Sequence, residues 1–214
     1  MNIGDFEHFL SGIVWTCVLT LGSFSIGALL GVPLLVARLS GNFLIRILAQ
    51  VFIQFVRAIP PIVWLFTIYF GIGASLLHIP PLMAALTGLG LIATANLAEI
   101  YRGALNALHS GQWEACQALN LSRWDTVKDV IGPQVLRVTV PSAASYLIGL
   151  LKDSAIASTI GATELTFQAK QLAQLSFNGL IVFPVAGLCY IALSLPIAWL
   201  SRKTDAHLRK RVAR

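Results

Sequence analysis

Charged residues are scarce in this sequence of 214 residues, and their scarcity excludes most soluble folds. Asp, Glu, Lys and Arg together make up 11% of the chain, while hydrophobic residues make up 57%. Soluble domains carry about 25% charged residues, because water has to solvate their surface. The composition therefore predicts an integral membrane protein, in which lipid is the solvent for most of the surface.

Cysteine and histidine are also few, and they are dispersed. Cys17, Cys116 and Cys189 have neither metal-ligand spacing nor the pairing of a disulfide framework, so we interpret them as free packing residues. The four histidines form no Ser-His-Asp arrangement. The sequence has no GxxxxGK[ST] phosphate loop, so this chain lacks the usual means of holding ATP. We expect no enzyme, metal or resident cofactor in it.

No basic residue precedes Arg38, and the N-terminus carries Asp5 and Glu7 instead. A cleavable signal peptide begins with a positively charged region, which this segment lacks. We therefore expect the first apolar segment to remain in the mature protein.

Several apolar stretches are long enough to cross a bilayer, since a spanning helix needs roughly 20 mostly apolar residues. We predict five spans, at about residues 13–37, 47–70, 81–100, 140–160 and 180–200. The sequence shows no linker and no internal repeat, so we expect one all-α transmembrane domain over residues 1–214. Small residues four apart, Gly27 with Gly31 and Ser145 with Gly149, favour close helix packing within or between subunits.

The basic residues predict the orientation. They concentrate in alternate connections, because Lys and Arg in short loops resist translocation across the membrane. The clusters are Arg38 and Arg46, then Arg102, Arg123, Lys128 and Arg137, and finally six residues after position 200. This distribution puts the N-terminus outside and the C-terminus in the cytoplasm. It also accounts for the net charge of +6, so nucleic acid is not an expected partner.

The connection between the third and fourth spans, about residues 104–139, is too polar to cross a membrane but is patterned like a folded segment. Residues 110–119 suit a short helix. Ser122 with Asp125 predicts the cap of a second helix. Trp124, Val127 and Ile131 then share one face, and Gly132-Pro133 is expected to end that helix. The apolar face either folds back onto the bundle or inserts into a groove on a soluble partner.

This segment resembles the EAA loop of binding-protein-dependent ABC importer permeases. The family pattern is Glu-Ala-Ala, three residues, Gly, nine residues and Ile-x-Leu-Pro. The sequence has Glu-Ala-Cys at 114–116, Asn120 and Val-Ile-Gly-Pro at 130–133, with the spacing kept. Asn is the second choice after Gly for a left-handed corner, so the corner is expected to survive. Gly132 in place of Leu is expected to loosen the end of the second helix.

Three further segments are similar to the polar amino acid branch of that family, which includes histidine, glutamine and arginine permeases. Residues 55–61 resemble its FRGTPLL segment, residues 98–103 its AEIxRG segment and residues 151–158 its LKDTSLAS segment. The resemblance covers about residues 10–200. It implies the five-helix core of a type I importer permease in the bacterial inner membrane. A pair of such permeases would sit on a pair of ATPases that bind ATP and Mg²⁺, and an external solute-binding protein would deliver an amino acid.

The resemblance also implies site residues. ATP-driven closure of the ATPase pair would move the EAA loop and switch the pore between outward and inward access. The coupling candidates are Glu114, Ala115, Cys116, Asn120, Trp124 and Pro133.

Ionisable and polar residues inside spans supply the candidates for the substrate pathway, because they are costly in lipid and usually face a cavity. They are Asn96, Lys152, Asp153 and Ser154, with Glu164 just outside the fourth span. Each has a structural alternative, since it could join neighbouring helices instead. Arg57 and Glu99 are predicted to be structural or gating residues, since Arg57 could snorkel and Glu99 could pair with Arg102.

Two other functions stay open from the residues alone. A secondary transporter or channel would need no ATPase, but such folds often contain repeated halves, which are not visible here. A scaffolding membrane protein would use the loop between spans three and four only for docking.

Overall fold

The computed structural model describes residues 3–212, and the described chain is built from helices joined by short connections. The α-helices are α1 Ile3–Arg38, α2 Phe43–Ala58, α3 Pro61–Phe66, α4 Pro81–Asn106, α5 Gly111–Ala118, α6 Arg123–Asp125, α7 Gly132–Asp153, α8 Leu165–Ser176 and α9 Gly179–Val212. A wider π-helix follows α3 over Thr67–Leu77 and α6 over Thr126–Ile131. A tighter 3-10 helix follows α7 over Ser154–Ile160.

Four helical stretches are long and apolar enough to cross a membrane. They are Glu7–Arg38, Pro81–Asn106, Arg123–Ile160 and Gly179–Ala206. They contain the predicted first, third, fourth and fifth spans, and the fourth extends well beyond its predicted start. A fifth crossing is formed if α2 and the following helix Pro61–Gly73 count as one bent span.

The second span, predicted over residues 47–70, is broken into two helices. The two halves meet at an angle of 99°. Ile59, with φ −91° and ψ 130°, is extended because a residue before proline avoids the helical region, and Pro60 is extended as well. The indole of Trp64 donates a hydrogen bond of 3.0 Å to the carbonyl oxygen of Val56, which stabilises the corner.

The closest helix pair is α1 with α4, and small residues make that approach possible. A Cβ on Gly27 would lie 2.5 Å from the Cβ of Ala93, and one on Gly31 would lie 3.2 Å from the backbone nitrogen of Ala98. The prediction of close packing at this pair is confirmed. Gly149 has open space where its Cβ would be, so no described residue outside its own helix approaches that side of the glycine closely.

The proline at position 133 does not end a helix, contrary to the prediction. The chain continues in helical conformation from Arg123 to Ile160, with Pro133 in the first turn of α7. Pro133 has no backbone N–H to donate, and the wider π-helix before it accommodates this loss. The backbone amide of Gly132 donates a hydrogen bond to the carbonyl oxygen of Val127, five residues back. A Cβ at Gly132 would lie 2.6 Å from that oxygen, so the glycine fits this wide turn instead of loosening it.

One helix was not predicted at all. α8 lies between the fourth span and α9, packs on α1 and α9, and buries Leu165, Ala169 and Leu172 in a small core with Phe9 and Val182. Its amphipathic sequence is only 12 residues long, too short to register as a span.

Candidate functional site

An open polar cleft of about 470 Å³ lies where the broken second span meets α4 and the end of α7. Its lining residues come from all three elements and are Gln54, Val56, Arg57, Ala58, Ile59, Pro61, Ile92, Asn96, Tyr146 and Asp153. The break at Ile59-Pro60 creates the opening, because it turns α3 away from α2. The cleft therefore depends directly on the Pro60-Pro61 pair.

Arg57 and Asn96 form one wall of the cleft. The guanidinium Nε of Arg57 donates a hydrogen bond of 3.1 Å to Oδ1 of Asn96. The side-chain Nδ2 of Asn96 donates a hydrogen bond of 2.9 Å to the carbonyl oxygen of Ile92, which fixes the orientation of the amide. Arg57 thus lines the cavity and links α2 to α4 through Asn96, and its structural or gating role stays a prediction. Asn96 lies beside the cavity and also joins two helices, so both of its predicted roles stay open.

Asp153 supplies a negative charge to the same cleft. It is the last residue of α7, half-buried and part of the lining. Its neighbour Lys152 is exposed and is not part of the lining. Adjacent helical residues point about 100° apart, which explains why the two separate. Among the described residues Asp153 and Arg57 form no direct ion pair, so the cleft holds one cation and one anion with space between them.

Two predicted pathway residues are buried away from the cleft. Ser154 is fully buried and its hydroxyl donates to the carbonyl of Leu151 at 2.8 Å. Glu164 is also fully buried. Because their side chains contact only other parts of the protein, we remove both from the predicted pathway.

Glu164 caps α8. Its carboxylate accepts hydrogen bonds from the backbone amides of Thr166 at 2.9 Å and Phe167 at 2.8 Å, and from the hydroxyl of Tyr190 at 2.6 Å. Burial raises the pKa of the Glu164 carboxyl above its ordinary value, although these hydrogen bonds lower it in part. The residue therefore ties α8 to α9, which is a structural role and not the substrate contact that was predicted.

A second charged cluster lies at the end of α4. Arg102 pairs with Glu99 in a two-pronged contact whose shortest distance is 2.8 Å, as the i, i+3 spacing predicted. Arg38, at the end of α1, approaches the same carboxylate at 3.9 Å. This distance exceeds that of a hydrogen bond, and the buried Nε of Arg38 has no hydrogen-bond partner among the described residues, so Glu99 pairs with Arg102 and attracts Arg38 only through its charge.

The connection between α4 and α6 is a compact corner. The amide of Leu121 bonds the carbonyl of Cys116 at 3.0 Å and that of Asn120 bonds Gln117 at 2.9 Å, which is a Schellman motif. Asn120 has φ 49°, so the predicted left-handed corner is confirmed. The side chain of Ser122 accepts a bond of 3.1 Å from the amide of Asp125, which confirms the predicted cap.

The exposed side of this corner is partly apolar. Trp124 is 71% exposed and Leu119 73% exposed. Glu114, Ala115, Asn120 and Pro133 are exposed as well. Cys116 is only 3% exposed, so it packs inside the corner. It does not face a partner, contrary to its prediction as a coupling residue.

The corner is joined directly to the fourth span. Ile131 is buried, while Trp124 and Val127 from the same predicted face are exposed. The side-chain Nε2 of Gln134 on α7 donates a hydrogen bond of 3.0 Å to Oε1 of Gln112 on α5. The apolar face is therefore divided, with one end packed on the bundle and the other end open beside a groove of about 370 Å³.

Sequence comparison decides the class of protein. A family model described as "Binding-protein-dependent transport system inner membrane component" matches residues 23–210. The chain belongs to this family. It is therefore a multi-pass membrane permease subunit of an ABC importer and not an enzyme, and the ATPase is a separate subunit. The alternatives of a secondary transporter and of a scaffold are set aside by this membership.

Several relatives extend over nearly the whole chain. The probable amino-acid ABC transporter permease protein YckA of Bacillus subtilis is 34% identical, over 90% of this chain and 85% of that protein. The glutamine transport system permease protein GlnP of Escherichia coli K12 is 33% identical, over 92% of this chain and 89% of that protein.

Solved structures agree on the fold. An amino acid ABC transporter determined with histidines superposes with a TM-score of 0.90 at 28% identity, over 96% of both chains. The MetNI methionine transporter in an inward-facing form matches with a TM-score of 0.79 at 21% identity, over 97% of this chain and 99% of that one, which shows the fold alone. The predicted type I importer permease fold is confirmed.

Sequence reasoning missed three polar side chains in the cleft: Gln54, Arg57 and Tyr146 as lining residues. A signal for the first two was present, because Pro60-Pro61 in an apolar run indicates an interrupted helix. Polar residues beside such interruptions often line a pathway. Tyr146 carried no such signal.

Proposed function

We propose that this chain is the permease subunit of an importer for polar amino acids, and that the cleft bounded by Arg57, Asn96 and Asp153 holds the amino acid during transport. An α-amino acid carries a carboxylate and an ammonium on neighbouring atoms. The cleft offers a guanidinium, which pairs with a carboxylate in fork geometry, and a carboxylate for the ammonium. This pairing of unlike charges in one cavity is the observation that carries the proposal.

The relatives support the substrate class. YckA is a probable amino-acid permease, GlnP is a glutamine permease, and the solved neighbour is an amino acid transporter. Tyr146 and Gln54 add polar groups to the wall, so a polar side chain on the substrate has hydrogen-bonding partners. Lys152, exposed beside Asp153, is kept as a pathway candidate that would face a second permease.

The assembly we propose follows the family plan in more detail. Two permeases, this chain twice or with a related chain, would sit on an ATPase dimer that binds ATP and Mg²⁺. An external solute-binding protein would deliver the amino acid to the outer face. In this arrangement the N-terminus is outside and the C-terminus is in the cytoplasm of a bacterial cell, as the basic clusters predict.

The corner between α4 and α6 would contact the ATPase. Its exposed face presents Trp124 and Leu119 for a hydrophobic groove, and Glu114 and Ala115 lie on the exposed side of α5. Asn120 and Pro133 support this surface by shaping the corner and the start of α7.

Uptake into proteoliposomes tests the cleft. The vesicles contain the permease, its ATPase and the binding protein, and a panel of amino acids is assayed with ATP inside. Arg57→Gln and Asp153→Asn should each lower ATP-driven uptake about tenfold or more, because each leaves one substrate charge without its partner. Lys170→Gln removes an exposed charge on α8 and is the matched control. Wild-type uptake by both cleft variants would refute this assignment.

A second variant tests the coupling surface. Trp124→Ala should abolish the stimulation of ATP hydrolysis by the loaded binding protein, because buried aromatic anchors carry most of the energy of such contacts. Trp199→Ala, at another exposed tryptophan on α9, is the control. Unchanged stimulation in the Trp124 variant would move the ATPase contact elsewhere.

A further inference from the structure

α2 carries a stripe of polar side chains that its apolar composition makes conspicuous. Arg46, Gln50, Gln54 and Arg57 are all the polar residues of this 16-residue helix. Their spacing of four, four and three residues puts them within about 80° of the helix circumference. All four are exposed. We call this set the α2 stripe.

The other two sides of α2 have different surroundings. Ala49, Ile53 and Val56 are buried against the bundle. Leu48 and Phe52, on the side opposite the stripe, are 60% and 41% exposed and suit contact with lipid. The packed side lies about 90° from the α2 stripe and about 90° from these two lipid-facing residues.

A stripe of this kind needs water or polar partners. A primary amide in hydrocarbon without hydrogen bonds is strongly unfavourable, and an arginine there is more so. Four such residues on one side of a membrane helix therefore indicate a face that lipid does not cover.

The α2 stripe is continuous with the cleft. Gln54 and Arg57 belong to the cleft lining itself. A groove of about 560 Å³ shares Gln54 and Ala58 with the cleft and extends along α2 past Gln50, and its other lining residues, Ile47, Val51 and Phe55, are apolar. Arg46, one turn further on, lies near the end of the helix and covers the ring of Phe43 at 5.9 Å. The polar surface thus runs from the cleft to the end of α2 next to Arg38.

We propose that the α2 stripe lines the water-filled route by which the amino acid leaves the cleft for the cytoplasm, passing Gln54, Gln50 and Arg46 in turn. The inference rests on the proposed function of the cleft and on the orientation given above. It assigns Gln50 and Arg46, which lie outside the cleft, to the transport pathway.

Cysteine accessibility tests this route. In the full complex, with the three native cysteines replaced by alanine, single cysteines are placed by Gln50→Cys and Gln54→Cys. Leu48→Cys and Phe52→Cys, at similar depths on the opposite side of α2, are the matched controls. Inside-out membrane vesicles, whose cytoplasmic face is outward, are loaded with the binding protein and the amino acid and treated with a charged, membrane-impermeant methanethiosulfonate reagent. ATP added outside drives the amino acid from the lumen into the medium, which is the direction of cellular uptake, and this uptake is measured before and after treatment.

We expect the two stripe positions to react about tenfold faster or more than the two controls, because the thiolate, which forms in water and not in lipid, is the nucleophile that attacks the reagent and displaces methanesulfinate to give a mixed disulfide. Modification at Gln50→Cys should also stop uptake, since it adds bulk to the route. Equal rates at all four positions, or faster reaction of the controls, overturns the proposal.

Two further outcomes are informative. If oxidation links Gln50→Cys to its equivalent in a second permease while labelling is slow, the α2 stripe is a contact between permeases and the proposal fails. Uptake before treatment reports on the proposed function separately. A complex that transports no amino acid counts against that function, whereas normal uptake with slow labelling overturns only the route.

Discussion

Gly27→Ala offers the most direct test of how closely α1 and α4 approach. The added Cβ would lie 2.5 Å from the Cβ of Ala93 and 2.7 Å from its backbone carbonyl carbon. Carbon atoms prefer a separation of about 3.5–4.0 Å, so the two helices have to move apart by about 1 Å. The obstacle is partly backbone, which cannot rotate away as a flexible side chain does. Overpacking of this kind costs about 1–3 kcal/mol.

Part of that cost is offset by helix propensity. Alanine is favoured over glycine inside a helix by about 0.5–1 kcal/mol, so the middle of each range leaves a net destabilisation of about 1 kcal/mol. For a chain of this length each kcal/mol lowers the melting temperature by about 2–4 °C. The Gly27→Ala variant should therefore melt about 2–4 °C below the wild type when thermal unfolding of the purified permease is followed by tryptophan fluorescence.

Gly187→Ala is the matched control, because Gly187 lies inside α9 with no atom within 4 Å of its virtual Cβ. It gains the same propensity without a clash, so its melting temperature should stay constant or rise. Adding Ala93→Gly to the Gly27→Ala variant should recover part of the loss, as expected for residues in contact. If Gly27→Ala is as stable as Gly187→Ala, the close approach of α1 and α4 described here is wrong.

Three other predictions concern single polar groups. Glu164→Ala should lower the melting temperature by an amount equivalent to about 1–3 kcal/mol, because buried donors lose their acceptor. Folding raises the pKa of Glu164, so its contribution to stability is full below the unfolded pKa and is lost as the pH rises through the folded pKa. The Glu164→Ala variant should lack this pH dependence of stability. A variant with the same pH profile as the wild type would contradict the prediction. Ser122→Ala removes the side-chain acceptor for the backbone amide of Asp125, which should cost about 1 kcal/mol of local stability. Amide hydrogen exchange in α6 should then be about fivefold faster, while exchange in α4 stays constant. Glu99→Gln should cost about 1–3 kcal/mol in thermal unfolding, because Arg102 loses its paired carboxylate and Arg38 the nearby negative charge, and a neutral result would refute this electrostatic role of Glu99.

The sequence predicted best the features that depend on local patterns. Apolar length located the spans, and the Ser122-Asp125 spacing located a cap that the structure contains. Asn120 was predicted to take a left-handed conformation because few other residues tolerate it, and it does. These predictions needed only neighbouring residues, so they did not depend on how the helices pack.

The errors arose where the outcome depends on distant parts of the chain. Gly132-Pro133 carried a strong signal for a helix end, but the π-helix over Thr126–Ile131 accommodates the proline and the helix continues. Glu164 seemed available for substrate, but packing of α8 against α9 buried it. Periodicity and hydropathy do not report which of two polar residues faces a cavity, and this is why Arg57 was given a structural or gating role and was not named among the pathway residues.

The uninterrupted helical path from Arg123 to Ile160 has a mechanical consequence. About 30 residues separate Trp124, at the exposed corner, from Asp153, at the cleft, and at 1.5 Å per residue they are roughly 45 Å apart. A tilt of about 10° at one end of a rod of that length displaces the other end by roughly 8 Å, comparable to the length of an amino acid. Small angular changes imposed from outside the bilayer are thereby magnified into a displacement large enough to open or close a passage for a single solute molecule.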